Sequence, residues 1–236
     1  MMVYRDFVPP AIIARGCVAP AAARIGPNAV IRTAEALMAF GGKSLAAEVF
    51  AAAGIEHYLA TPPASMIPES EVTALMKAMH EKLGPGRAAT AGWVAGQLTG
   101  DYLLENRIPG LAQIMLRLLP ASSSSPFLLK AIARHSWTFV GSGHVAFKSG
   151  NPVRIAVSGC PLCRHVASGE WSCSFYAATF ERLFHKLVHD CAEVVETQCE
   201  ARGDKCCLFE ISWPSRVHSR PVAHRRPIQT TGMLCL

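Results

Sequence analysis

Cys173, Glu196, Cys199 and Cys207 supply three thiols and one carboxylate from two places in the chain. Thiolate sulfur suits zinc, and four protein donors are the inventory of a closed tetrahedral site. The last three lie in ETQCEARGDKCCLF, where a glycine turn can bring Cys199 and Cys207 together. Cys173 stands before a helix-like run and has to enter from the helix start. In a regular strand Glu196 and Cys199 would point to opposite faces, so the site requires a bulge or a strand end near Cys199. Cys206 is an alternative last ligand. Alternation puts Cys207 on one face with Phe209 and Ile211, which favours Cys207. Cys160 and Cys163 in SGCPLCRH form a competing half-site for zinc or redox chemistry. A thioredoxin-like use of that pair requires a βαβ context that the sequence does not supply. Buried structural cysteines are the alternative to any metal.

Other motifs carry less chemistry. GSGHVA at 141–146 matches a GxGxxA dinucleotide fingerprint. Such a fingerprint has to open a helix and be followed by an acid about 20 residues on. Here a strand-like run follows, and PLCRH stands where the acid belongs, so Gly141 and Gly143 read as hairpin-turn residues. There is no P-loop, so no site for NADPH, FAD or ATP is evident. His185 and His189, four apart beside Glu181 and Lys186, read as a solvated helix face. His57, His80, His135 and His144 fall near element ends, where each is a candidate axial ligand or simply a polar residue. No nucleophile elbow or paired-carboxylate pattern supports hydrolysis.

The elements that must position these residues fit one domain of a 236-residue chain. Half the residues are apolar and 17% are charged, yet no run of 18 apolar residues exists to span a bilayer. Surplus hydrophobicity without a span points to an apolar pocket, a partner surface or membrane contact, or else to a well-buried helical core. The N-terminus shows no secretory h-region. Nine cysteines in that setting read as thiols or metal ligands of a reducing compartment, with a cytoplasmic location. Net charge is +6, and four of those charges are Arg216, Arg220, Arg225 and Arg226 in a Pro-containing tail. A basic nucleic-acid face is therefore not indicated.

Residues 1–26 read as irregular. Helices dominate 27–135, with stops at Gly41-Gly42, Gly54 and Gly84 and a helix start at Pro68 followed by Glu69 and Glu71. GRAATAGWVAGQLTGDYLLENRI is the longest helix, Pro109 starts another, and Ser122–Ser125 read as a linker. After His135 the period changes. WTFV, HVAFK and NPVRIAVSG read as strands, SFYAATFERLFHKLV as an amphipathic helix, and AEVVETQCEA with CCLFEISW as a hairpin. Residues 136–212 are thus sheet plus one long helix, and 213–236 a mobile basic tail. The fold class is α+β: N-terminal helices packed with a C-terminal antiparallel sheet.

GRAATAGWVAGQLTGDYLLENRIP, ARHSWTFVGSG, FYAATFERLFHKLV and VVETQCEARGDKCCLFEI together resemble the 4-vinyl reductase domain family, and within it the bacteriochlorophyll-biosynthesis branch. The resemblance covers roughly residues 27–212. It implies a fold shared with Bet3 and the nitric-oxide-signalling proteins, and an apolar ligand. It also implies structural zinc on Cys173, Glu196, Cys199 and Cys207. The ligand it implies is a Mg-tetrapyrrole, divinyl protochlorophyllide or chlorophyllide, at the stage where an 8-vinyl group is reduced. Trp93, Leu98, Tyr102 and Leu103 are then expected to line or border an apolar cleft. A carrier that meets other pathway enzymes at the edge of the photosynthetic membrane fits the composition. A genuine 8-vinyl reductase, and a sensor or tethering module, are the rivals. A homodimer is compatible with either.

Overall fold

The computed structural model describes residues 23–166 and 172–214. The basic tail beyond Pro214 and most of the N-terminal segment lie outside the described residues. Arg24–Ile25 (β1) pairs antiparallel with Ile67–Pro68 (β2), so the end of the expected irregular segment is a short strand. Asn28–Ala52 (α1) breaks at Gly41 and Gly42, which leave helical geometry as the sequence predicts. His57–Ala60 (α2) follows, then Glu69–Leu83 (α3), which begins after Pro68 and stops at Gly84. Pro85–Asn106 (α4) is the long central helix, with proline in its first turn where no N–H partner is lost.

Gly110–Leu118 (α5) starts after Pro109 as expected. Ala121–Arg134 (α6) corrects the linker reading, because Ser122–Ser125 and Pro126 lie inside it. Ser124 and Ser125 are buried there, and Pro126 sits close enough to the helix start that the backbone tolerates it. Trp137–Val140 (α7) is a helical turn, not the expected strand. Gly141, at φ +55°, ends it, and the Gly-Ser-Gly run therefore joins helix to sheet rather than strand to strand. The first hairpin instead runs through Ser149–Pro152, between His144–Lys148 (β3) and Val153–Ser158 (β4).

Ser174–Leu187 (α8) leads to Glu193–Gln198 (β5), a 3-10 turn at Glu200–Arg202, and Cys207–Ser212 (β6). The four strands order β3-β4-β6-β5, all antiparallel. Helix α8 covers one face of this sheet: Tyr176 and Phe180 meet Phe209, with ring centroids 6.3 and 5.4 Å apart. Small residues then let α4 close over α8. A Cβ at Gly96 would lie 2.3 Å from the Phe175 carbonyl oxygen, so only glycine admits this approach. The core is one continuous body of helix and sheet side chains, with Leu37, Phe50, Leu75, Phe184, Phe209 and Ile211 wholly buried. The C-terminal sheet and α8 thus form a rigid frame for the cysteines at its edge.

Candidate metal centre

Four local features deliver the cysteines. Cys173 is the residue that caps the N-terminus of α8, as a ligand entering from the helix start must be. Cys207 opens β6, wholly buried on the same face as Phe209 and Ile211. Cys199 follows a register shift between Glu196 and Gln198 in the β5–β6 ladder, the bulge that the ligand spacing requires. Beyond it the chain turns through Glu200–Arg202 and Gly203, left-handed at φ +91°, while the Cys199 N–H donates to the Asp204 carboxylate at 2.9 Å. Cys160 and Cys163 lie in the loop after β4, both buried.

The expected quartet Cys173, Glu196, Cys199 and Cys207 does assemble, with its donor atoms all within 4.8 Å of one another. So does a second, Cys160, Cys163, Cys173 and Cys207, within the same limit. The pair weighed as a rival site is therefore part of the same cluster. Three sulfur pairs, Cys160–Cys173, Cys163–Cys207 and Cys173–Cys207, stand 3.4 Å apart. The edge of a tetrahedron with zinc–sulfur bonds of about 2.3 Å is ~3.8 Å, so a small expansion admits an ion. Glu196 uses one oxygen to accept the Cys173 N–H at 3.2 Å, and its Oε1 is buried with no partner. That orphaned oxygen faces the kind of desolvation cost that a cation removes. A buried four-cysteine cluster of this kind can hold a metal ion.

The electrostatics fit the same chemistry. Hydrogen bonds from Cys160 and then from the other thiols hold Cys163 far below the usual thiol range. The bond with Cys160 and the remaining thiols pushes Cys173 well up. At Cys199 the bond with Cys163 works upward, but those with Cys173 and Cys207 prevail and bring it down to about 6. Burial first, and the neighbouring Cys199 second, raise Glu196 to about 9. Crowded donors thus settle one thiolate and keep protons on their neighbours, and a cation reverses that balance. Cys206 stays out: its thiol points toward Gln198 Oε1 at 3.7 Å, and it packs with Ala156 and Leu208. Cys191 is an exception to the expectation of free thiols, being disulfide-bonded.

Two supporting groups escaped the sequence reading. The Glu200 carboxylate accepts the N–H groups of Gly159 and Cys160 at 2.7 and 2.8 Å, fastening the Cys160–Cys163 loop to the Cys199 turn. An acid directly after Cys199 was the available signal. Glu69, 2% exposed, accepts from Arg164, from the Ser142 N–H at 2.5 Å and from its hydroxyl at 2.9 Å. This ties the start of α3 to the glycine turn and to the residue after Cys163.

Trp93, Leu98, Tyr102 and Leu103 are partly buried on α4. Trp93 and Leu103 pack on the core, while the Tyr102 ring has the Arg32 and Arg107 guanidinium groups 5.1 and 5.8 Å from its centroid. A cleft of about 520 Å³ lies elsewhere, lined by Arg24, His57, Tyr58 and the 61–68 loop. His185 bonds the Ala192 carbonyl, and His189 accepts the Cys191 N–H at 3.1 Å. His80 pairs Nδ1 with the Met76 carbonyl at 2.9 Å and buries Nε2 without a partner. Next to α4, the helix α5 leaves Leu111, Ile114, Met115 and Leu118 between 54 and 80% exposed. Their i, i+3, i+4, i+7 spacing makes one apolar face.

This arrangement defines a 4-vinyl reductase domain protein: residues 153–212, from β4 through the cysteine-bearing hairpin, match that domain. Over 188 residues the chain is 41% identical to the bacteriochlorophyll synthase 23 kDa chain of Cereibacter sphaeroides, covering 80% of this chain and 90% of that one. The protein of the same name from Rhodobacter capsulatus is 38% identical over 203 residues, 83% of this chain and 93% of its own. The chain belongs to the family of these 23 kDa chains. Its fold is that of an H-NOX protein from K. algicida, with TM-score 0.51 and 10% identity over 82% of this chain and 98% of that one. The expected nitric-oxide-signalling-like α+β architecture is the one found.

Proposed function

We propose that this chain acts in bacteriochlorophyll biosynthesis by binding a Mg-tetrapyrrole, divinyl protochlorophyllide or chlorophyllide, and carrying it at the stage of 8-vinyl reduction. The observation that carries the reading is the similarity to the bacteriochlorophyll synthase 23 kDa chains over four fifths of the sequence. The surface next to α4 supports it. A flat apolar macrocycle needs apolar contact, and the outward face of α5 offers Leu111, Ile114, Met115 and Leu118. Gln113 binds this helix to the end of α4 by donating to the Leu104 and Ile108 carbonyls at 2.6 and 2.8 Å. Trp93, Leu98, Tyr102 and Leu103 extend the surface along α4, and the guanidinium groups beside Tyr102 suit a pigment carboxylate.

Zinc in the cysteine cluster is the structural part of this proposal. With four protein ligands it has no open position for substrate, so it clamps the helix cap Cys173 to the hairpin bearing Cys199 and Cys207. Reduction of a vinyl group needs an electron or hydride donor, normally a cofactor, and carriage does not. Titrating purified protein into divinyl protochlorophyllide should give a saturable shift in pigment absorption. An unchanged spectrum at protein excess would refute carriage, and recovery only of regulatory or trafficking partners in a pull-down would favour the sensor or tether.

A further inference from the structure

We propose that the cysteine cluster is a two-metal centre, in which Cys160 and Cys163 hold one zinc ion, Glu196 and Cys199 hold a second, and the sulfurs of Cys173 and Cys207 bridge both. The inference rests on the zinc reading above and goes beyond it. Two complete quartets exist, and they overlap at Cys173 and Cys207 alone. A thiolate sulfur has lone pairs enough to bind two ions, and neither quartet needs a donor from outside the cluster.

A single ion leaves part of this construction unexplained. Placed among the four cysteines, it leaves the buried Glu196 Oε1 without a partner. Placed in the other quartet, it leaves the Cys160 and Cys163 sulfurs unused, each 3.4 Å from a ligand sulfur and wholly or almost wholly buried. Two ions sharing two sulfurs use every donor. They also halve the charge problem, since one divalent ion cannot balance five thiolates and a carboxylate in a dry site. The distances agree: bridging sulfurs 3.4 Å apart with bonds of about 2.3 Å put the ions about 3 Å from each other.

Both halves are also held in place independently of the metals. Glu200 anchors the Gly159 and Cys160 N–H groups, and its own N–H faces the bridging Cys207 sulfur at 3.5 Å. Thr73 donates to the Pro161 carbonyl at 2.9 Å, pinning the middle of the Cys160–Cys163 loop to α3. The loop is therefore presented to the cluster rather than merely near it.

Native mass spectrometry with elemental analysis of the full chain, purified from zinc-supplemented cells, tests this directly. Two zinc ions per chain are expected, with X-ray absorption showing a sulfur-rich shell and a metal neighbour at about 3 Å. One ion per chain overturns the two-metal centre while leaving the single-zinc clamp standing; no zinc overturns both. The double variant Cys160→Ser/Cys163→Ser should keep one ion, and so should Glu196→Gln/Cys199→Ser. A Cys160→Ser/Cys163→Ser protein that still carries two ions would also overturn the assignment. The wild-type count decides even if a variant fails to fold.

Discussion

Replacing Gly96 by alanine tests whether the close approach of α4 to α8 sets the frame of the site. A Cβ there would meet the Phe175 carbonyl oxygen at 2.3 Å and the Ala178 Cβ at 2.7 Å. Neither is the far end of a flexible side chain, so α8 must recede by ~0.7 Å or more before ordinary contact is restored. Overpacking of this kind costs about 1–3 kcal/mol, and clashes with a backbone oxygen belong at the upper end. Alanine recovers about 1 kcal/mol of helix propensity relative to glycine. The net loss is then about 2 kcal/mol, a fall in melting temperature of roughly 4–8 °C for a chain of this size. Gly86, in the first turn of the same helix, is the control, because a Cβ there meets nothing within 4 Å. Thermal and urea unfolding of Gly96→Ala and Gly86→Ala should separate the two, with Gly86→Ala unchanged or slightly stabilised. Equal stability of the two variants would refute the packing argument. Because Cys173 caps α8 two residues before Phe175, Gly96→Ala should also lose metal to a chelator sooner than wild type.

Glu69→Ala strands the Arg164 guanidinium and the Ser142 N–H, and should cost about 3 kcal/mol in urea unfolding, as removal of one partner from a buried pair does. Burial raises the Glu181 carboxyl, which accepts the Val194 N–H at 3.3 Å with His185 and Glu193 nearby. A folded-state pKa above the unfolded 4.5 means that stability from this group is present below that value and fades as pH rises through the folded one. Glu181→Gln should therefore gain on wild type in melting temperature between pH 4 and pH 7, and a constant difference would contradict the assignment. Leu118→Lys on the exposed α5 face should leave stability within about 0.5 kcal/mol while weakening pigment uptake in the absorption titration. His80 presents a buried Nε2 without a partner, so His80→Ala should alter the spectrum of bound magnesium pigment, and His144→Ala, exposed on β3, should not.

Local chemistry made part of this fold legible. Gly41-Gly42, Gly84, Pro68 and Pro109 mark helix ends by their backbone restrictions alone, and the structure places ends or breaks at each. The Glu196–Cys199 spacing required an irregular strand, and the ladder shifts register there. Where tertiary contacts decide, local signals failed. Trp137–Val140 carries strand-forming residues, yet it coils because Gly141 turns the chain onto Glu69, where any Cβ would lie 2.0 Å from the carboxylate. Ser122–Ser125 resemble a linker in composition, but burial of Ser124 and Ser125 holds them helical. The union of the two cysteine sets was hidden for the same reason. Nothing in the spacing of Cys160 and Cys163 shows that Glu200, some forty residues on, draws their loop to Cys199.

The most direct test of the carrier reading is recovery of the pigment itself. Purified protein is incubated with divinyl protochlorophyllide and NADPH, separated by gel filtration, and the pigment in the protein fraction is weighed by mass spectrometry. The account predicts pigment eluting with the protein at about one per chain and unchanged in mass. Pigment two hydrogens heavier would make the chain a reductase, and a protein fraction free of pigment would contradict binding altogether.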